Sequence, residues 1–390
     1  MERCDVLVIG GGIAGVSAAA RLADAGLATV LVEAEATLAY HTTGRSAAQY
    51  LENYGNDTVR RLTIATRPFL DRPPADLADG PLLGLRPLLK AGRAERVEAL
   101  RNEVSHAQKL VPSTEFVDGD QAREILPILA DDIAGGLYEP HSQDIDVAGL
   151  HQAYVRWFRK AGGVIHVSAP VRDLTRSATT WTVTAGSVQF QAQTVVNAAG
   201  AWGDRLAVMA GAKPVGLHPL RRTIAIAAIP EHYPAADVAR WPLTSFEPAA
   251  GPMVGYCKPE PGGLMVSPAD ETPSEPCDAR PEEIDVARGL ASLADFTTLD
   301  ARHVRSTWAG LRTFTSDRTP ISDFDPTLDG FFWLVGQGGY GIHTSDALAQ
   351  IACTRITGSA WPDHLHQLGL TPDDVASGRP ELDGALIEGH

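Results

Sequence analysis

The sequence predicts an α/β protein of two domains, a nucleotide-binding domain with a parallel sheet and a second domain built on a mixed or antiparallel sheet with flanking helices. Three observations carry this expectation. At 390 residues the chain exceeds one ordinary domain. It opens with a strand, a glycine turn, a helix and a strand, a βαβ unit whose crossover is right-handed. Residues 219–268 then shift to Pro, Gly and β-formers, whereas α/β texture returns at 194–210 and 331–356.

In order, residues 4–9 (CDVLVI) read as a buried strand, 13–25 as an Ala-rich helix stopped by Gly26, and 29–33 (TVLVE) as the second strand. Helical apolar spacing recurs at 59–70 and 94–110, and 82–89 reads as a strand broken by Pro87. Asp146 is placed to cap a helix over 147–160 that closes at Gly162-Gly163. Short strands at 164–167, 171–174, 181–184 and 188–191 form a small meander, followed by a strand at 194–199 and a helix at 201–210. Strands at 221–228 and 253–258 suggest a separate sheet, and 281–296 an amphipathic helix with Pro281 in its first turn. Residues 331–335 enter a glycine run followed by a helix at 343–356, and the last 20 residues read as a loose tail.

Composition narrows the function. With 44% hydrophobic and 21% charged residues the chain is expected to be globular and soluble. A net charge of −15 repels phosphate backbones, which argues against nucleic acid as a partner. Apolar runs such as 223–229 and 331–335 are too short to span a bilayer, so no transmembrane segment is expected. The apolar stretch 6–20 is interrupted by glycines and preceded by acids at Glu2 and Asp5, unlike a secretory leader. Cys4, Cys257, Cys277 and Cys353 are scattered, as expected of free thiols in a cytoplasmic protein. His364-Leu365-His366 has no nearby carboxylate pair, so no metal site is expected.

The chemistry begins at Gly10, Gly12 and Gly15 in GGGIAG. Such glycines permit a tight turn, close approach of backbone to a pyrophosphate and close helix packing, with the phosphate at the helix N-terminus. Glu33 ends the next strand about 20 residues on, where a carboxylate accepts hydrogen bonds from a ribose. NAD and FAD share this fingerprint. The hydroxyl-rich segment 40–50 favours FAD, with Thr42, Thr43 and Ser46 as donors at the start of a second helix near the diphosphate.

GGGIAG, EAE at 33–35, HTTGRSAA at 41–48, VVNAAGAWG at 195–203, TWAGLRTF at 307–314 and GQGGYGIHT at 336–344 occur in that order, and together resemble the D-amino acid oxidase family of FAD-dependent oxidoreductases. The similarity runs from Asp5 to about Leu370 and is nearest to the D-arginine dehydrogenase subgroup. It implies a Rossmann-like FAD domain over 1–80, 146–212 and 313–375, a substrate domain over 81–145 and 213–312, and a tail at 376–390. It implies noncovalent FAD, with hydride passing from Cα of a D-amino acid to flavin N5 and the imino acid hydrolysing to a 2-oxo acid and ammonia. Oxygen or a quinone would take the electrons.

Residue by residue, the resemblance places FAD against Gly10, Gly12, Ile13, Ala14 and Gly15, then Glu33 and Ala34. It adds Thr42, Thr43, Arg45, Ser46, Ala47, Ala48 and Gln49, then Val171, Ala199, Gly200 and Trp202. Gly338, Gly339, Tyr340, Gly341 and Ile342 approach the flavin pyrimidine edge, where a helix N-terminus stabilises the reduced ring. Arg312 and Arg222 match the carboxylate-binding arginines, although adjacent Arg221 competes with Arg222 for the inward position. Tyr54 and Tyr256 match hydroxyl donors to the substrate, and Gly339 and His343 complete the catalytic positions.

Three departures bear on the substrate. Leu88 stands where the D-arginine-specific subgroup carries a glutamate, so a pocket of Leu51, Leu88, Leu243 and Ser245 favours a neutral or apolar side chain. Gln49 replaces a histidine near the flavin, and Gly310 stands where covalent-flavin relatives carry a cysteine. Oxidative deamination of neutral D-amino acids is therefore the expectation. The alternatives are oxidation of secondary or N-methyl amino acids (sarcosine, glycine or proline type) and a flavin-bound scaffold without a substrate, against which Arg312 and Tyr256 argue.

Overall fold

The computed structural model describes residues 1–74, 76–301 and 303–387. The strand Glu2–Ile9 lies at the centre of an eight-stranded sheet, between Val188–Asn197 and Thr29–Val32, parallel to both; Val164–His166 adds a further parallel strand beyond Thr29–Val32. Phe331–Val335 runs parallel beside the last residues of Val188–Asn197. Val6, Leu7 and Val8 are buried because both sheet faces are covered, which is why that strand reads as an unbroken apolar run. On one face the Ala-rich helix Ile13–Asp24 packs against Val147–Lys160 and Ser345–Thr357. The carboxyl ends Ile9, Val32, Asn197 and Val335 gather at one edge, so the loops beginning at Gly10, Glu33, Ala198 and Gly336 open onto a common crevice.

A second sheet of nine strands has Val304–Phe314 at one edge, against His218–Ala227. Beyond that strand lie Gly263–Ser267, Gly255–Glu260, Leu243–Glu247, Leu88–Arg93, Ile133–Glu139 and Glu115–Asp118. It is mixed, because Leu243–Glu247 runs parallel to Leu88–Arg93 while its other pairings are antiparallel. Strand alternation divides its faces. Leu89, Ala91, Phe246, Cys257 and Val266 point into a core closed by Leu293 and Phe296 of the helix Glu283–Phe296. Residues of the other parity, including Leu88, Leu243, Tyr256 and Arg312, face the first sheet. Pro87 does more than interrupt a strand: Leu83–Leu85 joins a small sheet with Gln49–Tyr50 and Gln143–Ile145, whereas Leu88–Arg93 joins the nine-stranded one. The α/β class with a second, mixed sheet is as the sequence predicts. Among the described residues no helix is long and apolar enough to cross a membrane, and all four cysteines are free.

Several local expectations are corrected. Residues 188–191 and 194–199 belong to one long strand, Val188–Asn197, whose first half pairs with Thr180–Ala185 and whose second half pairs with Phe331–Val335. The strand at 164–166 stands outside the meander, paired to Thr29–Val32. The helix expected from Pro281 starts at Glu283, because Glu282 is extended and its carboxylate is held by Arg221. The helix expected from His343 starts at Ser345, since a turn closed by Thr344 N–H on the Tyr340 carbonyl keeps His343 at the crevice. Asp146 does cap its helix, accepting from the Gly149 amide at 2.8 Å.

The expected loose tail is anchored as far as residue 387; residues 388–390 lie outside the described residues. Leu370 and Val375 are buried in the first core, and Trp361 donates to the Leu370 carbonyl at 3.0 Å. Arg379 chelates Asp317 with bonds of 2.7 and 3.0 Å, and Arg318 donates to the Ile387 carbonyl at 2.8 Å. Polar composition concealed this because each anchor is a single long-range contact. Burial alone would raise the Asp317 carboxyl, but the Arg379 guanidinium overrides it and holds Asp317 below the ordinary carboxylate range. A carboxylate lowered on folding stabilises the fold above about pH 4 and loses that contribution as pH falls through its folded value. Arg379→Ala is expected to lower unfolding free energy by on the order of 3 kcal/mol and to flatten the acid limb of stability; an unchanged urea midpoint would show the tail to be dispensable.

Candidate active site

The crevice at the strand ends is a cleft of about 350 Å³. Its floor is the glycine turn. A Cβ on Gly15 would lie 1.9 Å from the Gly10 carbonyl oxygen, and one on Gly10, at φ +115°, would lie 2.3 Å from that of Ala198. Only glycine lets strand, turn and helix approach so closely. The helix Ile13–Asp24 begins at Gly12, which has no side chain to cap it, and carries no acid in its first turn; Thr43 takes the Ile13 amide, and the rest of the positive end is open to an anionic ligand. Glu33 accepts from the amides of Gly11 at 2.6 Å and Glu35 at 2.9 Å, which holds its carboxylate at the cleft wall. Buried His151 braces the turn from below, 3.0 Å from the Gly11 carbonyl. A glycine cradle, an uncapped helix and an adjoining acid fit the diphosphate and ribose of a dinucleotide.

Gly10, Gly12, Ile13, Ala14, Glu33 and Ala34 line this cleft. Across it stand Thr42, Thr43, Arg45, Ser46 and Ala47, with Val171, Ala199, Gly200 and Trp202 at one end and Gly338, Gly339, Gly341 and Ile342 at the other. Gly15 lies beneath the cleft, in helix packing. The expected second helix is a single 3-10 turn, Thr42–Arg45, and its hydroxyls act chiefly as tethers. Thr42 donates to the Leu311 carbonyl at 2.7 Å, Thr43 accepts from the Ile13 amide at 3.0 Å, and Ser46 accepts from the Ala48 amide at 2.9 Å. The Arg45 guanidinium turns away to Asp278 and the carbonyls of Ala279 and Ala309. Tyr340 also points away, its ring packed on Tyr54 and Phe314.

A second cavity, of about 970 Å³, meets the first at Ser46, Ala47, Arg222, Arg312 and Gly339. Ala48, Gln49, Leu51, Tyr54, Leu88, Leu243, Ser245, Tyr256 and His343 all line it. Arg312 lies at the junction. Its guanidinium donates to the Tyr54 hydroxyl at 3.1 Å and reaches the Tyr256 hydroxyl at 3.5 Å, and among the described residues no carboxylate lies within ion-pair distance. Burial works against its charge; the phenols of Tyr54 and Tyr256 and the carboxylate of Glu271 outweigh burial and keep it firmly protonated. Alternation along His218–Ala227 decides between the neighbouring arginines. Arg221 points outward to Glu282 and Asp285, while Arg222 is buried, bonded to the Asp270 carbonyl and Glu271, with its Nη1 left without a partner. Against burial, which alone would raise it, Arg312 and then Arg222 pull the Tyr256 phenol below its ordinary value. Gln49 donates to the Arg86 carbonyl at 2.9 Å, leaving its own buried amide oxygen unpartnered.

Sequence reading missed the polar far wall of this cavity, where Lys90, Glu139 and Glu247 stand beside Leu88, Leu243 and Ser245. The available signal was period-two alternation: Lys90 shares the face of Leu88, and Glu139 lies directly opposite Leu88 on the neighbouring strand. The strand Ile133–Glu139 was hidden by its glycines, and the pairing joins segments far apart in the chain.

The sequence profile of the DAO family, described as FAD dependent oxidoreductase, matches residues 5–355. Rat mitochondrial dimethylglycine dehydrogenase is 27% identical over 224 residues, covering 56% of this chain and 25% of the relative, so the match spans only about a quarter of that protein. Among solved structures, glycine oxidase from Geobacillus kaustophilus superposes with a TM-score of 0.79 at 21% identity, covering 93% of this chain and 96% of that one. L-proline dehydrogenase from P. horikoshii gives 0.80 at 19% identity, covering 92% and 95%. Likeness at that identity is likeness of fold.

Both ring nitrogens of His343 are buried without partners. Burial, and then the Arg312 charge, push its pKa down to about 3. Its imidazole is therefore expected to stay neutral from pH 8 to pH 4, and below about pH 6.5 the unfolded chain takes up a proton that the folded site refuses, so this residue costs stability as pH falls. The His343 ring-proton chemical shift followed against pH checks this; a titration near pH 6.5 would place the ring in water.

Proposed function

The chain belongs to the DAO family of FAD-dependent oxidoreductases, and on that premise we propose that it oxidises the carbon–nitrogen bond of a free amino acid, a D-amino acid with a neutral side chain, to a 2-oxo acid and ammonia. The observation that carries this reading is the position of Arg312, a half-buried cation with no carboxylate partner among the described residues, at the point where the two cavities meet. Bound FAD supplies a hydride acceptor. Arg312, with the unpartnered Nη1 of Arg222 nearby, clamps the substrate carboxylate and so fixes Cα at the junction. The tyrosines at 54 and 256 hold the guanidinium in place. The same two cations that lower the Tyr256 phenol also favour loss of a proton from the substrate ammonium, leaving the lone pair that oxidation needs.

Leu51, Leu88 and Leu243 receive a neutral side chain, which supports kinship with the D-amino acid dehydrogenase branch; the carboxylates of Glu139 and Glu247 stand farther along the same wall. The same proposal assigns 1–80, 146–212 and 313–375 to FAD and 81–145 and 213–312 to the substrate, in keeping with the strands of the two sheets. It keeps FAD noncovalent with respect to cysteine, since among the described residues no cysteine lines either cavity. A second reading, oxidation of an N-methyl or other secondary amine, is favoured by the resemblance to dimethylglycine dehydrogenase and by cavity room far beyond a small amino acid.

Anaerobic addition of D-, L- and N-methyl amino acids, watched through the visible flavin absorbance, separates these readings. Bleaching by neutral D-amino acids alone supports the first, bleaching that survives N-alkylation the second, and none with any amine defeats both. Arg312→Leu is expected to raise the substrate KM on the order of a hundredfold with FAD content unchanged; unaltered kinetics would remove Arg312 from substrate binding.

A further inference from the structure

The substrate cavity continues past its leucines into a zone of opposite character. Lys90 bonds Glu103 at 3.0 Å, Glu103 bonds Arg96 at 2.7 Å, and Arg96 reaches Glu247 at 3.4 Å. Ser245 donates to the other oxygen of Glu247 at 2.8 Å. In this chain each charge has an opposite neighbour, so it is balanced as it stands. The rim charges Asp57, Arg60 and His106 likewise pair among themselves.

Glu139 is the carboxylate left over. It is 3% exposed; one of its oxygens accepts from Ser142 at 3.0 Å, and among the described residues Oε1 makes no hydrogen bond of ordinary geometry, although the Asn53 side chain lies near enough, with Ser142, to work against the burial that raises this carboxyl. A buried polar atom left without a hydrogen bond is costly, and this one lies in the wall of a large cavity. The strand register sets its surroundings. Glu139 lies opposite Leu88, which lies opposite Leu243, whereas Lys90, two residues on, lies opposite Ser245. A ligand thus meets an apolar row and then an acceptor at Glu139 beside a donor at Lys90, whose ammonium has three protons and one recorded bond. Three inter-strand steps separate the Tyr256 strand from the Glu139 strand, or about 14 Å across the sheet.

We propose that this zone recognises the far end of an elongated substrate, and that the end group is a neutral amide or urea that donates N–H to Glu139 and accepts from Lys90. The inference rests on the amino acid reading above and names its side chain. A cationic end would find Glu103 and Glu247 already paired with Lys90 and Arg96 and only Glu139 to meet it, a carboxyl that burial raises and so disfavours as an anion. A purely apolar end would leave Glu139 and Lys90 as they are, with nothing returned for the displaced water.

Citrulline, arginine and 2-aminooctanoate share carboxylate, amine and side-chain length, and differ only in a neutral urea, a cation or an apolar end. The test compares kcat/KM for flavin reduction of the holoprotein by the three, in whichever enantiomer reacts. Citrulline is expected to lead each of the others at least tenfold. In Glu139→Leu, checked for flavin content and melting temperature, its lead over 2-aminooctanoate should collapse, while Glu139→Gln, which keeps an acceptor oxygen, should preserve it. Should Glu139→Leu fail to fold, the wild-type ratios and Glu139→Gln still decide. Equal rates, a lead for arginine or for the apolar analogue, or a lead indifferent to both variants would overturn the inference. If short amino acids reduce the flavin and none of the three does, only the inference falls; if no amino acid does, the amino acid reading falls and takes it along.

Discussion

The site depends on two guanidiniums in one wall, Arg222 buried and Arg312 half-buried, with fewer partners than their charge requires. Arg222 and Arg312 lie on adjacent antiparallel strands and face the same cavity. Isolated charges so far from water are costly, and the fold supplies what compensation it can. Glu271 reaches Arg222 and is clamped by Arg318 through bonds of 3.1 and 2.6 Å. Asp270 turns its carbonyl to Arg222 and its carboxylate to the amide and hydroxyl of Thr223. Two phenols cover Arg312. None of these contacts neutralises Arg312 directly, and the remaining deficit is what an anionic ligand would fill.

The rest of the architecture brings a redox ring to that deficit. Four loops at one edge of the parallel sheet form the cleft, and the last of them, through Gly339, also touches the second cavity. A Cβ on Gly339 would fall 2.9 Å from the Tyr54 hydroxyl and 3.3 Å from Arg312. Glycine at this position therefore leaves room for the Tyr54 hydroxyl and the Arg312 guanidinium where the two cavities meet.

Much of this was legible in the sequence where the cause is local. The glycine turn, the Asp146 cap and the break at Pro87 each follow from a few consecutive residues, and the ordered motifs identified the family. What stayed hidden depends on pairing at a distance. Strand Leu243–Glu247 is flanked by prolines and glycines that suggest loop, and it is a strand because Leu88–Arg93 and Gly255–Glu260 lie on either side of it. The inward choice of Arg222 over Arg221 needs the register against Val304–Phe314. Glu139 carries no motif, and its place in the substrate wall follows only from its partner strand. The tail misled for the same reason, since Arg379 finds Asp317 across 62 residues.

The cleft is assembled from segments far apart in the sequence. Gly10 and Gly12 are made long before Gly338–Ile342 and the strand Phe331–Val335 that delivers them. A chain emerging from the ribosome displays its glycine turn long before the opposite wall exists, and domains complete themselves as their residues become available. The cleft is therefore complete only after the last glycine loop has been made, so loading of the flavin waits for that loop. A message cut short before the last glycine loop would yield a chain with a recognisable dinucleotide fingerprint and no means of retaining the cofactor.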